Sequence, residues 1–282
     1  MSLVNTLGRI VQIPSNVDIP FEKAPQHLEP YLIVEIGDLV NPERDYSLDS
    51  AVSLQLKGNV VSVIPKKAIG PKAMDHYIAD HAIPNGLGAL GDTVFHAAGL
   101  TKNSIGVIIS GVSGKGKSTT TAYLSSRGWS ILGDDAIRAH VSEDVCNIWP
   151  SYNGFRIHPD VIGKIVPPAK NEQTSLVAEY ANKLRIHLDS SIYHPSMTDC
   201  HLFIELGNDA DWSVKMVGEA ESCSTVAKYF FHPPDAPHHA IDRLESSIPI
   251  AKSLNVYQVD FPRSLNGLVM FEQWLSEAVN LC

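Results

Sequence analysis

The sequence predicts an α/β fold, a mixed β-sheet built around a phosphate-binding loop and preceded by a β-rich N-terminal region. Three observations lead there. Residues 104–135, SIGVIISGVSGKGKSTTTAYLSSRGWSILGDD, read as strand, glycine-rich loop, helix, turn and strand. After residue 200, apolar β-branched runs alternate with stretches of helical period. Before residue 84 the apolar runs are short and separated by turn residues. The implied division is 1–84 for the N-terminal region and 85–282 for the loop-bearing domain.

In chain order, residues 1–30 carry Pro14, Pro20, Pro25 and Pro30 and read as an irregular arm. Tyr31–Ile36 is an expected strand, and Ala51–Leu56 with Asn59–Ile64 flank Lys57-Gly58 as a hairpin. No catalytic constellation falls in this region, so a structural role is expected of it, with partner recognition as the alternative. Pro71–Asp80 suits a short helix with proline in its first turn. The glycine-rich run PNGLGALG from Pro84 lacks a Lys-Ser ending and reads as a loop. His96 falls in the apolar run Phe95–Leu100, where a histidine is either a satisfied core residue or a neighbour of the site.

The central stretch carries the chemistry. Gly111-Val112-Ser113-Gly114-Lys115-Gly116-Lys117-Ser118 fits G-x-x-x-x-G-K-[ST] without a gap, after the β-branched run Ile105–Ile109 and before a helix. Glycines let successive N–H groups turn inward on a phosphate, and the helix that includes Thr119 aims its positive end at the same anion. Lys117 supplies charge for the β- and γ-phosphates, while the Ser118 hydroxyl is a ligand for Mg²⁺. Thr119-Thr120-Thr121 are poor helix formers and count against the helix. Gly128 ends it, and Trp129–Leu132 is a second strand that delivers Asp134 and Asp135. Two adjacent acids allow two tasks, one holding Mg²⁺ and the other accepting a proton.

Downstream, Arg156 either neutralises phosphoryl charge or pairs with a surface acid. Residues 167–182 are polar and read as a flap, and Lys183–Leu188 alternates as an exposed strand. His201–Leu206, Val214–Val217 and Asn255–Val259 are expected strands. Helices are expected from Gly218 through Phe230, over Ala240–Ser247, and after a Ser264 cap, the last burying Leu265, Leu268, Val269 and Trp274 or Leu275. His232, His238 and His239 have a spacing that permits a metal, but no helix fixes a partner for them.

The series His96, strand, Gly111–Ser118, helix ending Arg127-Gly128, and strand ending Asp134-Asp135 resembles the HPr kinase family. The core of that family looks like the nucleotide domain of phosphoenolpyruvate carboxykinase. The resemblance covers roughly residues 85–280, weakly after Tyr152-Asn153-Gly154-Phe155-Arg156 and Lys183, and is nearest to the small HPr-kinase-related proteins. It implies a P-loop kinase core that uses ATP and Mg²⁺ to phosphorylate a serine-type hydroxyl of a peptide or small protein. It also implies Asp135 as a metal ligand with Ser118, Asp134 as base, Arg156 and Lys183 as partners of phosphoryl charge, and His96 as an active-site neighbour. Two other functions remain open, a small-molecule phosphotransferase and a nucleotide-binding regulatory module with little turnover. The family's regulatory enzymes also remove phosphate by phosphorolysis, using a glycine-rich signature. Residues 161–206 hold only Gly163, so one-way transfer is expected.

A formal charge of −9 argues against a duplex-binding surface. No run approaches the ~18 apolar residues of a membrane span. The opening MSLVNTLGRIVQIPS lacks a basic stretch followed by an apolar core, so no signal peptide is expected. Cys146, Cys200, Cys223 and Cys282 are scattered, which with an ATP site suggests free thiols and a cytoplasmic protein, with homo-oligomers left open.

Overall fold

Alternation of apolar residues builds the N-terminal region into a sheet from the second residue onward. Strands β1 (Ser2–Thr6), β2 (Arg9–Ile13), β3 (Glu22–Lys23), β4 (Leu32–Ile36), β5 (Arg44–Ser47), β6 (Val52–Lys57) and β7 (Val60–Pro65) lie in the order β3-β1-β2-β4-β7-β6-β5. The computed structural model describes residues 1–19, 21–162, 176–180, 183–186, 194, 196–231 and 238–281, with 176–180 and 238–240 described by backbone alone. The irregular arm expected over 1–30 is therefore corrected. Leu3, Val4, Val11 and Ile13 are buried, and Leu7-Gly8 turns with positive φ at both residues, closing a hairpin ahead of the first proline. The β6–β7 hairpin forms as expected, with Gly58 at φ +55°.

Helix α1 (Pro71–Tyr77) runs through a π-helical stretch (Ile78–Ala82) into α2 (Ile83–Ala89). The loop expected from Pro84 is thus helical, and the division proposed at residue 84 falls inside α2. Gly86 meets β4 closely there, since a Cβ would lie 2.9 Å from Leu32. Tyr77, Ile78, Ala82, Ile83 and Leu87 cover the N-terminal sheet and share its core.

The main sheet contains nine described strands. It begins with β8 (Thr93–Phe95), β9 (Ala98–Lys102), β10 (Ile105–Ser110), β11 (Ser130–Gly133), β12 (Ile137–Ser142) and β13 (Val145–Trp149). Helix α3 (Lys117–Ser126) connects β10 to β11. A small antiparallel sheet follows, β14 (Phe155–Ile157), β15 (Leu176–Tyr180) and β16 (Lys183–Ile186) in the order β14-β16-β15. The part of the expected flap at 176–180 is a strand, and its residues 167–175 and 181–182 lie outside the described residues, as do His187 and Leu188.

Strands β17 (Thr198–Leu206), β18 (Ser213–Met216) and β19 (Asn255–Asp260) complete the main sheet, with β10, β17 and β19 mutually parallel. Helices α4 (Glu219–Ala227) and α5 (His238–Ser253) cover one face, and α3 with α6 (Leu265–Asn280) the other. Ser264 caps α6 by accepting from Gly267 N at 3.2 Å. Leu268, Phe271, Leu275 and Val279 are buried, whereas Leu265, expected inside, is exposed because it lies on the outer side of the first turn. Removing a side chain such as Phe271 from water is worth about 1.5–3 kcal/mol. The architecture is mixed α/β. Among the described residues no helix is long and apolar enough to cross a membrane. His232 and the side chains of His238 and His239 lie outside what is described, as does Cys282; Cys146, Cys200 and Cys223 are free thiols.

Candidate functional site

The candidate site forms where β10 and β11 end. Gly114 and Gly116 take φ of +86° and +82°, a region L side chains rarely adopt, and this lets the chain turn from β10 into α3. Lys115 N donates to Val112 O at 3.1 Å, and Thr120 N donates to Gly116 O at 2.8 Å. The first amides of a helix have no intrahelical acceptor, and the N-cap Gly116 brings no side chain to satisfy them. The loop therefore presents donors and the positive end of a helix dipole. The threonines do not prevent the helix, because Thr121 donates to Lys117 O and Thr120 and Thr121 are buried. Val112, Ser113 and Gly114 are exposed, Ser118 and Thr119 half-buried, and Lys115 reaches away to Asn208 Oδ1 at 3.0 Å.

Lys117 turns inward. Its ammonium donates to Asp134 O and to Asp135 Oδ1, both at 3.0 Å. The guanidinium of Arg156 holds the other Asp135 oxygen through Nε and Nη2, each at 2.8 Å. His96, in the short connection between β8 and β9 and exposed, brings Nε2 to 3.7 Å from Asp135 Oδ1. Burial opposes the charge on Asp135, but Arg156 and then Lys117 outweigh it and hold its pKa well below the usual carboxylate range. Asp134 differs. Burial and then the neighbouring Asp135 charge raise its pKa; Oδ2 accepts from Arg156 N at 3.1 Å and Oδ1 is buried with no hydrogen-bond partner among the described residues. Adjacent residues thus hold one firmly ionised carboxylate and one strained toward protonation.

A second layer comes from the helical segment 71–89. Asp80 Oδ2 accepts from Arg185 Nη2 at 2.7 Å, lies 3.4 Å from Arg156 Nε, and is 2.7 Å from His76 Nδ1. His76 Nδ1 is also 2.8 Å from Arg156 Nη1, so a given tautomer serves only one of these two partners. Arg185 is 1% exposed and lies 4.5 Å over the Tyr152 ring. Burial opposes the charge of Asp80, yet Arg185 and Arg156 hold its pKa far below normal. Lys183, two residues before Arg185 on β16, is half-buried and its side chain makes no hydrogen bond or ion pair among the described residues.

The structure thus brings Lys117, Asp134, Asp135, Arg156 and His96 together, while Lys183 lies on β16 with no side-chain contact to them among the described residues. Sequence reasoning missed Asp80 and His76, and placed Arg185 only on the same strand face as Lys183. The i, i+4 spacing of His76 and Asp80 was a legible signal, but their meeting with Arg156 is tertiary. It also missed Glu205, which pairs in register with Ser110 at the start of the loop and accepts from Tyr229 Oη at 2.7 Å. Arg263 is a further omission, its Nε 3.8 Å from where a Cβ on Gly116 would stand.

The donor set suits a nucleotide phosphate and Mg²⁺. Loop amides and Lys117 suit the anion, while Asp135 and the Ser118 hydroxyl offer the hard oxygens Mg²⁺ prefers. Among the described residues no three His, Cys, Asp or Glu side chains cluster as a ready metal cage.

No protein-family model matches the sequence, and no curated protein matches it. The HPr(Ser) kinase/phosphatase from Coxiella burnetii is similar to this chain at 14% identity and TM-score 0.34, over 66% of this chain and 95% of its own. A likeness that low carries no argument about family or activity.

Proposed function

We propose that this protein transfers the γ-phosphoryl group of ATP to a hydroxyl of a peptide or small protein in a Mg²⁺-dependent reaction. The observation that carries the reading is the Lys117 ammonium, which links the glycine-rich loop to two aspartates of opposite ionisation behaviour. Loop amides from Gly111 to Thr119 and the α3 N-terminus bind the phosphates. Lys117 exchanges its Asp135 contact for phosphate oxygens, a charge-assisted bond of similar kind. Asp135 and Ser118 hold Mg²⁺, which when bound neutralises phosphate charge. Asp134 takes the acceptor proton, because a carboxylate with a raised pKa is a stronger base. Arg156 meets the charge that develops on the phosphoryl oxygens, with His96 beside Asp135 and Lys183 as a second cation. The acceptor class follows the motif resemblance of residues 96–135 to the HPr kinase family.

The test is ATP·Mg²⁺ binding by the whole protein, followed by transfer to serine-containing peptides, for wild type and Lys117→Ala. The expected result is a folded variant that loses most nucleotide affinity or turnover. Equal binding by the two proteins would remove the phosphate loop from the reading.

A further inference from the structure

Five charged groups, four of them buried and Arg156 half-buried, alternate in sign across three parts of the fold. They run from Arg185 on β16 to Asp80 in the 71–89 helical segment, Arg156 on β14, Asp135 after β11, and Lys117 at the start of α3. Their contacts span 2.7, 3.4, 2.8 and 3.0 Å in that order. Arg156 is the middle member. One carboxylate, Asp135, faces it from the nucleotide side, and the other, Asp80, from the N-terminal side with His76 at 2.8 Å. Asp80 is itself fixed by Arg185, whose guanidinium lies on Tyr152.

From this arrangement we propose that Asp80 is a positioning residue, which holds the Arg156 guanidinium at the site when Asp135 engages a metal ion. The inference rests on the role given to Arg156 above. Once metal and phosphate draw on Asp135, the Asp135–Arg156 contacts weaken, and an arginine tethered from one side only would swing toward the carboxylate as it shifts. Contacts from behind keep the planar fork in one orientation, and less rotamer freedom is lost when it meets the phosphoryl oxygens. Three chain segments far apart in sequence thus set one side chain. The N-terminal region thereby contributes to the site through His76 and Asp80, although it contains none of the phosphate-binding motif.

The experiment compares wild type, Asp80→Asn, Arg156→Lys and the double variant in the full chain, reading ATP·Mg²⁺ affinity, kcat and KM for a serine peptide, and the unfolding equilibrium. Asp80→Asn is expected to leave ATP affinity within about 2-fold and to lower kcat by about 10- to 100-fold. In the Arg156→Lys background it should add less than about 3-fold, because the side chain it positions has gone. A residue with a merely structural role would lower activity equally in both backgrounds, and that result overturns the proposal. If wild type binds ATP·Mg²⁺ but transfers nothing, the proposed function fails, and the cycle is read from unfolding instead. There the Asp80 and Arg156 substitutions should be non-additive by about 10-fold in the folding equilibrium constant. Additive effects would overturn the positioning contact by itself.

Discussion

Replacing either aspartate after β11 by asparagine changes one atom, yet the two variants should move stability in different directions. Asp135 is the shared anion of Lys117 and Arg156, all three nearly buried. Asp135→Asn leaves two buried cations short of a counter-charge, and breaking a buried pair this way costs about 3–5 kcal/mol. Asp134 has a buried oxygen with no hydrogen-bond partner among the described residues, and a charged neighbour. The Asp135 charge repels a charge on Asp134, partly offset by Lys117 and Arg156; for any two unit charges about 5 Å apart at an effective dielectric of about 20 the repulsion is on the order of 3 kcal/mol. Asp134→Asn removes that repulsion and keeps an oxygen for Arg156 N, so the net change should lie between zero and about +2 kcal/mol. At roughly 2 °C per kcal/mol for a chain of this size, the two melting temperatures should differ by about 6 °C or more. Thermal and urea unfolding at neutral pH without nucleotide read this directly. The activities should divide as well. Asp134→Asn should bind ATP normally and transfer about 10²–10⁴-fold more slowly, while Asp135→Asn should need more Mg²⁺ for nucleotide binding. If Asp134→Asn is destabilised as much as Asp135→Asn, the unlike ionisation of the pair is wrong, and with it the choice of base.

Acidification should destabilise the protein through its histidines. Burial lowers the His81 pKa from 6.5 to about 4, and His76 shifts the same way, so below pH 6.5 the unfolded chain takes up protons that the folded one refuses. Stability should fall from pH 6.5 toward pH 4 by up to about 3 kcal/mol for His81. Urea unfolding at pH 7 and pH 4.5 should show the slope in wild type and a smaller one in His81→Gln, and an unchanged slope would rule out a buried neutral His81. Transfer should also run one way, because residues 161–206 carry a single glycine with which to gather amides around a second phosphate. Enzyme, phosphorylated acceptor, Mg²⁺ and inorganic phosphate should yield negligible pyrophosphate, and release at the forward rate would refute the expectation.

Local chemistry made much of this protein legible. The strand before Gly111, the glycine turn, the helix stop at Gly128 and the aspartates after β11 all follow from residues close in sequence, because hydrogen-bond closure, φ preference and helix capping act over a few residues. The same reasoning failed in two places. Pro84–Gly91 contains three glycines that discourage a helix by propensity, yet α2 forms there, because Leu87 is buried in the N-terminal core and Gly86 fits against Leu32. The arm over residues 1–30 looked irregular from its prolines, but strand pairing between Ser2–Thr6 and Arg9–Ile13 decided its N-terminal half.

What the sequence by itself determined is the glycine-rich loop between a strand and a helix and the pair of acids that ends the next strand, since these lie within 25 residues and turn, helix stop and strand end are local features. What only the tertiary structure decided is which cations face those acids. Sequence pointed to Lys183 and Arg156; in the fold Arg156 lies between Asp135 and Asp80, while Arg185, two residues beyond Lys183, is the member of β16 turned toward Asp80. Lys183 and Arg185 share one face of β16, so alternation does not tell them apart; pairing with β14, where Arg156 stands opposite Arg185, and a helix about 100 residues earlier in the chain decide which of the two meets a carboxylate. Coulomb attraction between buried groups acts through space, without regard to sequence separation, so the composition of a charge network is fixed only when the chain has folded.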